Sequence, residues 1–197
     1  LTEEVVVIGT RTEGRSALDS PAPIDVIGGE TMSNQGDTDM SNLLRNVVPS
    51  YNVNDQPISD AATLVRPANL RGLAPDHTLM LVNGKRRHRA SVITWLGNGI
   101  SNGSQGPDAA AIPALALKRI EVLRDGASAQ YGSDAIAGVM NFVLNDASEG
   151  GSFEVRYGEY GEGDGEQVTI AGNIGLPLGD AGFLNLTAEW GESDPTS

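Results

Sequence analysis

The sequence has no cysteine, which excludes a disulfide framework and any metal site built on thiolates. It has two histidines, His77 and His88, and neither sits in a metal-binding spacing such as HExxH. There is no phosphate-cradling GxxxxGK loop and no EF-hand spacing. No complete catalytic set is read, so an enzyme is not expected, nor a cofactor or a resident metal. Basic residues are few. Lys and Arg number 13 against 26 Asp and Glu, a net charge of −13 that repels phosphate backbones and argues against nucleic acid as a partner. Long apolar runs are also missing. The longest, "AAAIPALAL" (109–117), is interrupted by a proline and reaches about half a helical membrane span. That excludes a transmembrane helix but not membrane strands, whose signal is alternation. The chain opens on "LTEEVVVIGTR", without the basic start and apolar core of a secretion signal, so it reads as cytosolic or already processed.

Glycine and proline are plentiful, at 25 and 10, and imply many turns between short elements. Residues 1–22 are polar apart from "VVVI" (5–8) and read as a flexible arm with one extended β-branched patch. "PIDVIGGETM" (23–32) predicts a short strand followed by a helix start. "DTDMSNLLRNVVP" (37–49) predicts a helix capped by Asp37 or Thr38 and ended by Pro49. Asn83-Gly84 in "HTLMLVNGKRR" predicts a hairpin. Two long loops flank these elements, 54–66 and 88–106. A short helix around "IPALAL" leads into strand "KRIEVL", and strand "VMNFVL" closes the unit near residue 146. The reading is an α+β domain over 23–146: a small mixed sheet, short helices and two long loops, the kind of loops that often carry function.

After a linker at 147–151 the pattern changes. Three segments alternate: Phe153, Val155 and Tyr157; then Val168, Ile170, Ile174 and Leu176; then Leu184, Leu186, Ala188 and Trp190, each opposed by polar or small residues. Residues 152–197 thus predict three antiparallel strands of roughly membrane-strand length. On pattern alone a soluble meander with one buried face is the commoner arrangement, although three strands with a free edge are marginal by themselves.

Four pieces occur in a telling order: "EEVVVIGTR", "LLRNVVPSYNV", "LRGLAPDHTLMLVNGKRR" and "IPALALKRIEVLRDGASAQYGSDAIAGVMNFVL". Together they resemble the plug domain of TonB-dependent outer-membrane receptors and cover nearly all of residues 3–146. The resemblance implies a plug that fills a barrel of about 22 strands, with 152–197 as the first strands of that barrel, here incomplete. It implies the outer membrane of a Gram-negative bacterium, with lipid, the chain's own barrel and the C-terminal domain of TonB as partners. The ligand would be a small scarce nutrient, by default a ferric siderophore or another metal chelate. It also implies site residues. Glu3, Glu4, Val5, Val6 and Val7 resemble a TonB box, an extended segment able to add as a strand to a partner sheet; local sequence alone is equally an edge strand. Arg71 and Arg124 resemble plug arginines that pair with acids on the barrel wall, with Glu121 in the same network. Arg66, Arg86, Arg87, His88, Arg89, Trp95 and Asn98 fall on or beside the loops that face ligand. Their basic cluster serves either an anionic ligand or acidic groups of barrel and lipid. Gly126, Gly132 and Gly138 are read as backbone-shape residues in a crowded interior. The alternative function is a stand-alone plug-like module that binds TonB or a periplasmic partner without transport.

Overall fold

The computed structural model describes residues 5–6, 8–9, 15–17, 22–37, 39–53, 65–94, 99–125, 127–161 and 163–195. Two paired dipeptides begin it, β1 (Val5–Val6) and β2 (Arg15–Ser16). β3 (Ile24–Gly28) runs into α1 (Gly29–Ser33), and α2 spans Met40–Val47. β4 (Tyr51–Val53) pairs with β5 (Ala68–Leu70). Next come β6 (Thr78–Val82), β7 (Lys85–Arg86), β8 (Leu117–Leu123), the single-turn α3 (Ser128–Tyr131) and β9 (Gly138–Leu144). The last three strands are β10 (Gly151–Gly158), β11 (Gln167–Leu178) and β12 (Gly182–Ser193).

A five-stranded mixed sheet, ordered β3-β8-β9-β6-β7, organises residues 22–144. Its one parallel pair is β6 with β9. Both faces are covered, which is why its strands read as nearly continuous apolar runs. One face carries Ile27, Ile120, Val122, Met80, Met140 and Phe142 against Met32, Met40, Leu43 and Leu44 from α1 and α2. The other carries Leu79, Leu81, Leu123 and Val139 against Ile8, Ala127 and Ala135. Period-2 alternation sends neighbours such as Val139 and Met140 to opposite faces. A register shift between Leu117 and Arg119 returns Leu117 to the larger core.

The hairpin forms as the Asn-Gly pair dictates: Asn83 and Gly84 take φ of 48° and 74°, both left-handed, as a type I′ turn requires. Asp39, not Asp37 or Thr38, caps α2. Its Oδ1 accepts the Ser41 amide at 2.8 Å, while the Asp37 carboxylate accepts the Asp39 amide at 2.9 Å. The helix starts at Met40, so only the residue directly before it can reach the free amides of the first turn.

The described residues of the 88–106 segment are stitched by polar side chains, by backbone bonds such as Thr94 to Ser104, and by one short 3-10 turn at Gly99–Ser101. Thr94 donates to the carbonyls of Ser101 and Ser104, and Ser101 Oγ donates to Asn69 Oδ1 at 3.0 Å. Gln105 Nε2 reaches the Ala90 carbonyl at 2.9 Å.

β10, β11 and β12 form an antiparallel meander in continuous register, Val155 opposite Ile170 and Ile170 opposite Trp190. Its faces are reversed relative to a soluble sheet. The polar face is the buried one: Thr169, Ala171 and Asn173 are 9%, 5% and 7% exposed. The apolar face is open: Phe153 is 74% exposed, Tyr157 61% and Trp190 54%. No helix among the described residues is long and apolar enough to cross a membrane.

Candidate functional site

The described residues of the arm make defined contacts where its composition reads as flexible. Val5 pairs with Ser16 and Val6 with Arg15. Ile8 is 1% exposed, inserted among Leu79, Leu81, Leu123, Ala127, Ala135 and Val139. The Gly9 amide donates to Tyr131 Oη at 3.2 Å. One buried β-branched side chain is worth about 1.5–3 kcal/mol, enough to hold an otherwise polar segment. Of the five TonB-box candidates, Val5 and Val6 lie in this strand. Glu3, Glu4 and Val7 lie outside the described residues.

The basic cluster meets different partners along its length. Arg86 stands opposite Leu81 and shares its face of the sheet, where it pairs with Asp134 and donates to the Tyr131 carbonyl. It therefore touches the residue that holds the arm. Arg87, one position on, points the other way: its Nε donates to the Asp108 carbonyl at 3.0 Å. Arg89 lies 3.7 Å from Asp76, and His88 is exposed. Arg86, Arg87, His88 and Arg89 line a groove of about 250 Å³ together with Asp76 and Asp134. Arg66 is elsewhere, ion-paired with the α2 cap Asp39. Trp95 and Asn98 lie outside the described residues. A basic run in sequence thus meets two carboxylates and two backbone carbonyls around one groove.

Arg66 belongs to a polar knot at the start of α2. Burial pushes the Tyr51 hydroxyl well above its ordinary range. Burial likewise raises the Asp108 carboxyl, against the opposing pull of the Ala110 amide and of Arg66 and Arg87. Arg66 ion-pairs with Asp39 at the helix start, and Arg87 donates to the Asp108 carbonyl.

Arg71 and Arg124 do come together. Arg71 takes φ 56° and donates to the Arg124 carbonyl at 2.6 Å. Arg124 forms a two-point pair with Asp25, Nε to Oδ2 at 2.7 Å and Nη2 to Oδ1 at 3.0 Å, and Arg71 lies 3.7 Å from Asp125. These acidic groups belong to the same domain. Glu121 is not beside them. It is fully buried, accepts from Arg119 at 2.9 Å, and accepts from Asn141 at 3.2 Å. Asn141 Oδ1 in turn accepts the Gly84 amide at 2.9 Å, so this network secures the hairpin turn.

The contact between the domain and the strands rests on residues that sequence reasoning did not single out. Asn145 donates to Asn173 at 3.3 Å, and Asn185 donates to the Ala147 carbonyl at 3.2 Å. Just before the linker, within the domain itself, Lys118 hydrogen-bonds Asp146 at 2.9 Å and holds that carboxyl below its ordinary range. Arg156 reaches from β10 to the carbonyls of Ser33 and Asp37. The available signal was Arg156 itself, a charge on the polar side of an alternating strand. The letters "GISNG" (99–103) fit a serine-nucleophile spacing, yet Ser101 is 2% exposed and donates to Asn69. No group of three acidic or histidine side chains able to hold a metal occurs among the described residues.

The family model of the TonB-dependent receptor plug domain matches residues 16–139. The chain belongs to the TonB-dependent receptor plug family. The plug chain is 30% identical over 191 residues to the ferrienterobactin receptor of Escherichia coli (strain K12), covering 94% of this chain and 24% of that protein. It is 28% identical over 197 residues to the iron-regulated outer membrane virulence protein of Vibrio cholerae serotype O1, covering 98% and 28%. Among solved structures, the siderophore receptor PirA of Acinetobacter baumannii matches at TM-score 0.64 and 26% identity, over 86% of this chain and 24% of that one. A mutant ferric enterobactin receptor of Pseudomonas aeruginosa, in complex with enterobactin, matches in fold at TM-score 0.69 and 24% identity, over 89% and 25%. The chain spans about a quarter of the length of these relatives. The fold is accordingly an α+β plug followed by antiparallel strands of the kind that begin the receptors' barrel.

Proposed function

We propose that this chain is the gate-bearing part of an outer-membrane receptor that takes up a ferric siderophore, or a related metal chelate, by TonB-driven transport. The observation that carries the proposal is the reversed meander. Its apolar side chains face outward and its polar side chains face the plug. That is the arrangement of a barrel wall between lipid and a filled lumen. A stand-alone module would leave Phe153, Val155, Ile174, Leu186 and Trp190 in water as one contiguous patch. The ligand class follows from the relatives, which are named as ferrienterobactin and siderophore receptors.

In this reading residues 1–22 are the arm, 23–146 the plug, 147–151 the linker and 152–197 the first barrel strands. Residues 3–7 are the strand that TonB captures. The basic groove at 86–89 and the loops carrying Arg66, Trp95 and Asn98 receive the ligand. Arg86 is placed to report it, because it touches Tyr131, which holds Gly9. A ligand that draws Arg86 away loosens the arm, and strand addition to TonB follows.

Calorimetric titration of the chain with a TonB C-terminal domain tests the arm. Binding is expected, and deletion of residues 1–10 abolishes it. Binding that survives the deletion would place the TonB contact elsewhere. Ile8→Ser removes the buried anchor without touching residues 3–7. If the docked arm competes with capture, this substitution tightens TonB binding by about tenfold. An unchanged affinity would show that docking and capture are independent.

A further inference from the structure

Helix α1 ends without a cation of its own. Its last turn holds no basic residue, and its C-terminal carbonyls lie against the wall strands. The positive group arrives from β10. Arg156 Nη2 donates to the Ser33 carbonyl at 2.6 Å, Nη1 donates to the Asp37 carbonyl, and Nε pairs with Glu154. All three guanidinium nitrogens are thus used, and the side chain is 16% exposed. A planar guanidinium is suited to this, because its donors are fixed in a fork that can span two acceptors. Glu189 lies in the same cross-strand row as Glu154, Glu154 opposite Ala171 and Ala171 opposite Glu189. The wall therefore presents carboxylates beside the arginine and orients it toward the plug.

The position of this contact matters. On one side lies a gap of about 490 Å³ between plug and strands, lined by Asp37, Asp39, Arg156, Gln167 and Thr169 among others. On the other lies a seam of only about 10 Å³, lined by Ala114, Leu115, Glu154 and Glu189, and bounded by the same Asp37 and Arg156. The wide gap is mainly polar and the seam is mixed, with Asp37, Glu154, Arg156 and Glu189 beside Ala114, Leu115 and Ala171; charged groups border both, so water fills whatever space opens between them.

We propose that Arg156 is a plug–wall clamp: it holds the Ser33–Asp37 segment against the inner face of the first strands and closes the wide gap from the seam below it. Losing the clamp joins the two into an aqueous path along the wall, without any action by TonB. This rests on the barrel reading given above.

The test uses the intact receptor, expressed in an outer membrane and reconstituted in planar bilayers. Conductance and uptake of a bulky hydrophilic antibiotic are measured for wild type, Arg156→Ala, Arg156→Lys, Ser33→Ala and a receptor lacking the plug. The plug-deleted receptor conducts if the strands belong to a barrel; a silent plug-deleted receptor would sink the barrel reading itself. With that control open, Arg156→Ala is expected to raise leak by about tenfold or more, as for loss of a charge-assisted hydrogen bond. Arg156→Lys restores part of the seal, since an ammonium lacks the fixed fork. Ser33→Ala stays closed, because the acceptor is its backbone carbonyl. A closed Arg156→Ala receptor beside an open plug-deleted one would overturn the clamp. If Arg156→Ala does not assemble, Arg156→Lys decides by the same measurement: leak supports the clamp, and a wild-type seal rejects it.

Discussion

Gly138→Ala is expected to destabilise the plug by about 3 kcal/mol or more. Gly138 opens β9 at φ 148°, and a Cβ there would stand 2.6 Å from the Leu123 carbonyl oxygen and 2.8 Å from Leu70 Cδ2. The first neighbour is backbone of the adjacent strand and cannot step aside, because β8 and β9 are paired over seven-residue strands in the centre of the sheet. Gly36→Ala serves as the contrast. Gly36 has φ 75° but open space around it, so only the left-handed backbone penalty of about 1–2 kcal/mol applies. Denaturant unfolding of the chain in detergent, followed by circular dichroism, gives both values. Equal losses would mean that the strand contact relaxes and that backbone conformation alone matters at Gly138.

Arg119→Met is the second large effect, a loss of about 3–5 kcal/mol. Glu121 has no solvent exposure and takes both guanidinium contacts at 2.9 Å from an arginine that is itself only 14% exposed. Removing the cation takes its charge away from a carboxylate buried on the smaller core's side, and the Asn141 amide that also donates to it is neutral. Arg119→Met with Glu121→Leu removes both charges together. That double variant is expected within about 2 kcal/mol of wild type, since an apolar pair of similar volume replaces a desolvated ion pair. The same unfolding measurement closes the double-mutant cycle. A double variant as unstable as Arg119→Met alone would show that the hairpin requires the Glu121–Asn141–Gly84 chain more than it requires charge neutrality.

These two sites show how differently the sequence reports. Gly132 and Gly138 of "DGASAQYGSDAIAGV" (125–139) are legible as shape residues, and both take positive φ, 99° and 148°; Gly126 lies outside the described residues. The hairpin, the helix at 40–47 and the three alternating strands are legible because local rules govern them: paired left-handed φ at Asn-Gly, helical spacing of Met40, Leu43 and Leu44, and period-2 alternation. The family resemblance is legible because motif order is a property of the chain itself. The resemblance implies Glu121 in one network with Arg71 and Arg124, yet strand geometry turns Glu121 into the sheet while the arginines meet at its end. The run at 85–89 reads as one basic patch, and Arg86 to Arg89 do line one groove, but only the fold sets Asp76 and Asp134 among them.

What the sequence determined alone is therefore what neighbouring residues decide: strands, turns, caps to within two positions, and the family. Three things required tertiary structure. Which face of the meander is buried depends on the plug lying against it, since alternation is identical for an inward and an outward apolar face. The docking of Ile8 depends on a pocket built from residues more than seventy positions away. The partners of Arg156 are the backbone carbonyls of Ser33 and Asp37. A carbonyl carries no mark in the sequence, because every residue has one, and only the fold decides which of them a distant guanidinium can reach.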